Sequence, residues 1–379
     1  MKRLSLVLVG CGRIAFDPLG DGSLVNGDAW PPAAFELAPG GGNTCARTMA
    51  GDVWCWGRGD QGGTGSGITN DTGTPVRFGL AKPALSIETS DAGSCARTSD
   101  GGAMCWGYND LGQLGVGAPG ITLPAPITGI TNIVQIAIGR SCACVRTAAG
   151  GVACSGANFC LGDGSTGDRS TFALIPGLAP ASSITSGDDH ACALLDGGSV
   201  TCWGLNAFGQ LGDGSMTDRP TAVPGPIGPY ESITAGDTNT CALRGGTIDC
   251  WGSNTEGELG DNTLTMRPTA APVANITTAI KVIGLANSNC ALLRDRTVWC
   301  WGSNSSGELG IGLASPLQLA PVRLSLTDVV DIAARTGPHV CAVTSDGQVW
   351  CWGNNIHGQI GQGSVGGLID IPTRVIGLP

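Results

Sequence analysis

The chain has 379 residues, including 63 glycines, 22 prolines and 17 cysteines, and only 13% of it is charged. A net charge of −10, with lysines only at positions 2, 82 and 281, excludes a surface built to neutralise nucleic-acid phosphates. Three scattered histidines, and the lack of any GxSxG elbow, HExxH helix or P-loop, give hydrolytic, zinc-peptidase and nucleotide-hydrolysing chemistry no footing, so no enzyme activity and no cofactor are expected.

At the N-terminus, Lys2 and Arg3 precede a short apolar run, Leu4 to Val9, which ends at Gly10-Cys11. A charged start, an apolar stretch and a small residue before a cysteine are the parts of an export signal. They resemble a bacterial lipoprotein signal with its lipobox. That resemblance implies a signal peptide over 1–10, a lipidated Cys11 anchoring the chain to a membrane, and, with Gly12 following, delivery to an outer membrane or cell surface. An ordinary signal peptide and a buried N-terminal strand are the competing readings. Residues 11–32 carry no repeat, end in Pro31-Pro32 and are expected to be a tether, with Trp30 docking on the body.

From residue 33 to 379 the chain repeats itself seven times. A cysteine is followed nine or ten residues later by a second: Cys45 and Cys55, Cys95 and Cys105, Cys144 and Cys154, Cys192 and Cys202, Cys241 and Cys250, Cys290 and Cys300, Cys341 and Cys351. Trp-Gly follows the second cysteine in six copies, at Trp56, Trp106, Trp203, Trp251, Trp301 and Trp352, while Ser155-Gly156 stands in the third. Copies lie 48 to 51 residues apart, the signature of stacked supersecondary units.

If Cys95 and Cys105 face each other on a hairpin, counting inward leaves the loop Ser99-Asp100-Gly101, whose third position wants a left-handed residue. Gly51, Gly150, Gly198 and Gly347 fall at the same place, and Arg296 alone departs. The fifth pair is one residue closer, and the count there leaves Gly245-Gly246, which suits a two-residue type I′ turn. Loop length and turn type change together while the cysteines stay opposite, so each pair is expected to be a disulfide. The leftover Cys142 and Cys160 flank the third hairpin and are expected to form an eighth bridge. Metal binding is the competing reading, but the chain has no CxxC and no histidine beside a pair. Each closed loop contributes about 2 to 3 kcal/mol in the chain-entropy model, and seven bridges place the protein in an oxidising, extracytoplasmic compartment.

An apolar strand precedes each hairpin, marked by Leu37, Ile87, Ile136, Ile184, Ile233, Val282 and Ile332. After Trp-Gly comes Asn-x-x-Gly-x-Leu-Gly, clearest at 109–115, 206–212, 254–260 and 304–310, with Ile360 replacing leucine at 355–361. A polar loop then leads to Pro75, Pro126, Pro220, Pro268, Pro321 or Pro372, and proline in a strand implies an edge. Inner strand, bridged hairpin and outer edge strand make a four-stranded blade, so the fold is expected to be an all-β, seven-bladed β-propeller over 33–379.

These motifs, and above all Leu205 to Gly212 and Asn354 to Gly361, resemble the repeat of the regulator of chromosome condensation family, in a disulfide-rich variant found in exported bacterial members. The resemblance implies a seven-bladed propeller that binds other proteins. Founding members of that family act as exchange factors on a nuclear GTPase, and secreted members include inhibitors of β-lactamases. Exchange would need exposure to the cytosol, which the disulfides argue against. An inhibitor's aromatic face is poorly supplied, since Tyr108 and Tyr230 are the only tyrosines. The preferred reading is a cell-surface or periplasmic binding or scaffolding module with a protein partner and no nucleic acid. The residue before the motif glycine changes from copy to copy: Gln61, Leu111, Phe208, Glu256, Ser306 and His357. These six positions are expected to form a ring on one face and to carry binding. The Asp-Gly-Ser runs at 163–168 and 213–218 could be imagined as calcium loops, but their placement before the edge strand points to turns and local caps.

Overall fold

The structure, a computed structural model, describes residues 35–91, 93–120, 122–312 and 315–379. The signal, lipid-attachment and tether expectations, with Cys11 and Trp30, lie outside the described residues.

Four consecutive strands in each repeat pair antiparallel, in chain order, to give seven separate four-stranded sheets. Blade one is Phe35–Pro39, Asn43–Thr48, Val53–Gly57 and Thr72–Phe78. The other blades repeat it in contiguous stretches, the last ending in Leu368–Arg374. The fold is the seven-bladed all-β propeller, and no blade borrows a strand from another part of the chain. No helix among the described residues is long and apolar enough to cross a membrane.

The hairpin arithmetic holds at every copy. Cys45 lies opposite Cys55, and each of the other six pairs sits in the same register. All seven are disulfides with Cα atoms 4.1 Å apart, and Cys142–Cys160 is the eighth. Gly198 turns with φ +85°, Gly245 and Gly246 with +54° and +85°, and Arg296 takes φ +65° in the place of a glycine.

The core lies between blades rather than within them. Phe35, Leu37 and Trp56 of blade one cluster with Val343, Val349 and Ile360 of blade seven, and every other interblade seam has an equivalent cluster. All six Trp-Gly tryptophans are fully buried in these seams. Each donates its indole Nε1–H to a carbonyl in the loop of the preceding blade: Trp106 to Gly63 (3.0 Å), Trp251 to Gln210 (2.9 Å), Trp301 to Glu258 (2.8 Å) and, closing the ring, Trp56 to Gln359 (2.8 Å). One side chain thus fills the seam and satisfies a buried carbonyl, which an aliphatic residue could not do.

Blade three solves the loss of its tryptophan with two residues. Ser155 Oγ donates to Gln113 O at 2.9 Å, keeping the hydrogen bond. Phe172 of the outer strand Arg169–Leu174 supplies the volume. A Cβ on Gly115 would meet the Phe172 ring, just as one on Gly260 or Gly310 would meet Trp301 or Trp352.

The first strands line the axis and are laced from blade to blade. Gln135 exchanges two hydrogen bonds with the Ile184 backbone (2.9 and 3.0 Å), and Ala235 N–H donates to Thr185 Oγ1 at 3.0 Å. Lys281 pairs with Asp331 of the next blade at 2.7 Å, while Arg335 of blade seven reaches past blade one to Glu88 of blade two at 2.9 Å.

Candidate functional site

Strand direction sorts the loops. Connections from first to second and from third to fourth strand emerge on one face, here the top. Hairpins and blade-to-blade connections emerge on the bottom.

The top-face loop after Trp-Gly is built by its own motif. In blade four, Asn206 Oδ1 accepts the Leu211 N–H at 3.0 Å, while its Nδ2 donates to the Ser215 and Thr217 carbonyls at 3.1 Å, pinning both halves of the loop. Gln210 Oε1 accepts the Phe208 N–H at 3.0 Å, Leu211 is fully buried, and Gly209 and Gly212 turn at φ +79° and +70° against Pro268 and Trp251, where no side chain fits. The same bonds recur around Asn254, Asn304 and Asn355. These loops are fixed scaffold whose outward positions are free to differ.

All six residues singled out from sequence fall in these top-face loops, one per blade in every blade but the third. Leu111 and Phe208 are exposed (38% and 37%), whereas Gln61, Glu256, Ser306 and His357 are half-buried. Five of them donate their backbone N–H to the side chain two residues on. The residue one position earlier stands out further, as with Asp60, Thr255 and Ile356. His357 is also tied down by the Asp71 carboxylate at 2.8 Å. Copy-to-copy variation alone located the loop but not its outermost residue.

The Asp-Gly-Ser runs hold a guanidinium. Asp213 accepts from Ser215 N–H and Oγ, from Asn206 and, through its second oxygen, from Arg219 Nε at 2.8 Å; in the other run Asp163 accepts the Ser165 N–H and pairs with Arg169, and Asp261, in an Asp-Asn-Thr turn, repeats the arrangement with Arg267 at 2.6 Å. Burial alone would raise these carboxyls, but the hydrogen bonds outweigh it and hold all three below the usual carboxylate range. They are the turns and caps the sequence pointed to. Among the described residues no three His, Cys, Asp or Glu side chains gather in a metal-holding arrangement.

Sequence reasoning missed the mouth of the axial channel. Short first-to-second-strand turns form a collar there, joined by backbone hydrogen bonds from Ser141 to Asp188 (3.2 Å), Asp188 to Asp237 (3.4 Å) and Asp237 to Ala286 (3.3 Å). Asp91, Asp188 and Asp237 hold successive places in this collar, interrupted by Arg140. Burial pushes Asp91 up to about 6. Burial, with the charges of Asp91 and Asp189, pushes Asp188 up to about 7. Burial and the neighbouring Asp188 push Asp237 well above the usual range. Among the described residues, Asp188 Oδ1 and Asp237 Oδ1 are buried and take no hydrogen bond from any amide, hydroxyl or cation; the two carboxyls are hydrogen-bonded to one another instead, which requires a proton on one of them. Arg140, largely exposed, stands 3.9 Å from Asp188. The sequence signal was one acid at the same offset in three copies, hidden because the turns read as generic glycine-rich loops.

Two histidines are seam pins. His190 Nε2 lies 2.9 Å from Thr240 Oγ1, which donates to Gln210 O, the carbonyl that also takes the Trp251 indole. His339, Thr44, Gln359 and Trp56 repeat this at the blade seven to blade one seam. The threonine proton is spent on the carbonyl, so the imidazole must donate from Nε2, leaving Nδ1 bare. Nδ1 has no partner in either residue.

A shallow cleft of about 850 Å³ opens on the bottom face at blade three, lined by Ile127, Ile130, Phe172, Leu174, Leu178 and Pro180. It carries none of the residues singled out above for binding.

Fold and loops define a repeat propeller, and comparison with known proteins gives the repeat its class. Two models of the regulator of chromosome condensation (RCC1) repeat match the chain, one at 100–145, 197–243 and 346–379, the other at 181–210, 284–308 and 329–359. Human WBSCR16 is similar in structure, with a TM-score of 0.76 and 21% identity over 86% of this chain and 93% of that one. Yeast RCC1 (Prp20), solved with Kap60 bound, gives 0.57 and 20% over 90% and 74%. The ectodomain of the Physcomitrella patens receptor kinase CR4 gives 0.53 and 19% over 84% and 73%. No curated protein sequence matches the chain.

Proposed function

We propose that this chain is an extracytoplasmic binding or scaffolding propeller that engages a protein partner through the loops of its top face. The observation that carries the reading is the contrast within each repeat. The hairpin disulfide recurs in all seven copies, the seam tryptophan in six and the asparagine loop staple in five, while the outward residues of the top-face loops differ. A rigid frame that presents dissimilar side chains in a ring is suited to recognition rather than to chemistry. Eight disulfides support an oxidising compartment. The first strand of blade one, Phe35–Pro39, enters from the bottom face. A lipid on Cys11 would therefore tether the body from its bottom side and leave the top free, which favours the top as the contact surface.

Two measurements test this. Non-reducing peptide mass mapping of material from its native membrane fraction is expected to find the bridges intact and Cys11 acylated. Free thiols with Met1 retained would overturn the extracytoplasmic reading and restore cytosolic partners, a GTPase among them. For the surface, the protein coupled through its C-terminus is cross-linked to envelope proteins as wild type, as a top variant (Leu111→Ala, Phe208→Ala, Ile356→Ala) and as a bottom variant (Met49→Ala, Ile227→Ala, Ile376→Ala). The adduct is expected to vanish only from the top variant. Loss from the bottom variant alone would reverse the assignment.

A further inference from the structure

Charge is divided unequally between the two faces. The top-face connections hold fifteen acidic residues and three basic ones, Arg58, Arg140 and Arg335. The bottom-face connections hold seven acidic and three basic. Strand arginines 169, 219 and 267 neutralise three of the top acids, and Arg335 is occupied by Glu88 in the channel. The remaining acidity is densest at the collar, where among the described residues Asp91, Asp188 and Asp237 have Arg140 as their nearby cation, with Arg58 more distant. Around that centre the same face exposes apolar side chains, among them Leu111, Phe208, Met216, Leu264, Ile356 and Val365. An acidic centre inside an apolar rim is a recognition surface for a partner of opposite charge, and two buried carboxyls held together by one shared proton mark where that charge goes, because an entering cation can take the proton's place.

We infer that the top face takes a cationic protein segment, a protrusion whose lysine or arginine enters the channel mouth against Asp188 and Asp237 while its apolar flanks rest on the rim. The inference deepens the reading above and depends on it. A single cation replaces the proton shared by Asp188 and Asp237 and pairs with both carboxylates at once, whereas an acidic or nucleic-acid partner meets repulsion over the whole face. Holding the carboxylates together without that cation costs stability, which a protein kept only for its frame has no reason to retain.

The test uses a fluorescein-labelled hexalysine peptide, with hexaglutamate as control, and follows anisotropy as salt is raised. A top variant, Asp91→Asn with Asp188→Asn and Asp237→Asn, is compared with a bottom variant of equal charge, Asp52→Asn with Asp100→Asn and Asp346→Asn. The hexalysine dissociation constant is expected to rise about tenfold or more in the top variant and to change little in the bottom one. Ala286→Lys, which sets a cation in the adjacent collar place, is expected to block the peptide without removing any carboxylate and serves if the triple variant folds poorly. Equal weakening by both triple variants, or binding unaffected by Ala286→Lys, would overturn the inference. A partner lost on Leu111, Phe208 and Ile356 truncation but indifferent to the collar would leave the top-face reading standing and sink only the cationic one.

Discussion

Ser155 and Phe172 show how a buried position is specified by two separable demands, a donor and a volume. Phe172→Ala removes the volume and is expected to cost about 3 to 5 kcal/mol. Ser155→Trp restores an indole but collides with Phe172, and it too should destabilise. Together they should recover much of the loss, because the indole then occupies vacated space, and chemical denaturation of the four proteins reads the coupling directly. The two seam histidines make a prediction about acid. Burial lowers His190 to about 4 and His339 to about 3, from an ordinary 6.5. The unfolded chain therefore takes up protons below about pH 6.5 that the folded chain refuses, so stability falls as pH drops from there toward 4 and 3, by on the order of a few kcal/mol. Replacing both with glutamine, which still donates to Thr240 and Thr44, should flatten that part of the profile. The collar carboxyls work with the opposite sign. Their folded values are raised, so the stability they give at low pH is lost as pH rises from about 4 through about 7, and Asp188→Asn should raise the melting temperature at neutral pH.

At the level of the strand, the outer edge shows where proline is allowed. The residue opposite the second cysteine donates its N–H inward, so the residues on either side of it point theirs outward. Proline takes one of those outward places in six blades: Pro75, Pro124 with Pro126, Pro224, Pro272, Pro321 and Pro372. Blade three has Phe172 and Leu174 instead, flanking Ala173 opposite Cys154. Leu174→Pro should therefore cost less than about 1 kcal/mol, whereas Ala173→Pro breaks a ladder bond and should cost about 3 or more. Thermal melts of the two variants check this. The hairpins were legible in the sequence because a disulfide couples register to turn length, so a shorter loop at Gly245-Gly246 exposed the pairing. The top-face loops were legible as far as their framework. Which residue stands outermost depended on backbone bonds to Gln210, Glu258 and their equivalents, and spacing does not reveal those. The collar was illegible for a different reason, since its aspartates are about fifty or a hundred residues apart in sequence and acquire meaning only when the ring brings them together.

For the whole molecule, shared seams mean that no blade owns its core. Removing blade seven by ending the chain after Leu324 would strip the cover from Trp56 and Phe35 and delete the Thr44 to His339 pin. Such a chain is expected to lose its cooperative calorimetric transition rather than melt as a stable six-bladed ring, and a sharp transition near that of the full chain would contradict the shared-core account. Seven copies told the sequence reader how many blades to expect. They did not tell how the ring closes, which here rests on indole, imidazole and loop contacts between contiguous blades without an exchanged strand.

The first strand of blade one begins, and the last strand of blade seven finishes, on the bottom face. Both ends of the described body, Phe35 and Pro379, therefore lie on the side opposite the acidic loops. A fusion, a resin or a lipid attached at either end acts as a handle that leaves the recognition surface unobstructed, so the molecule comes ready-made as oriented bait.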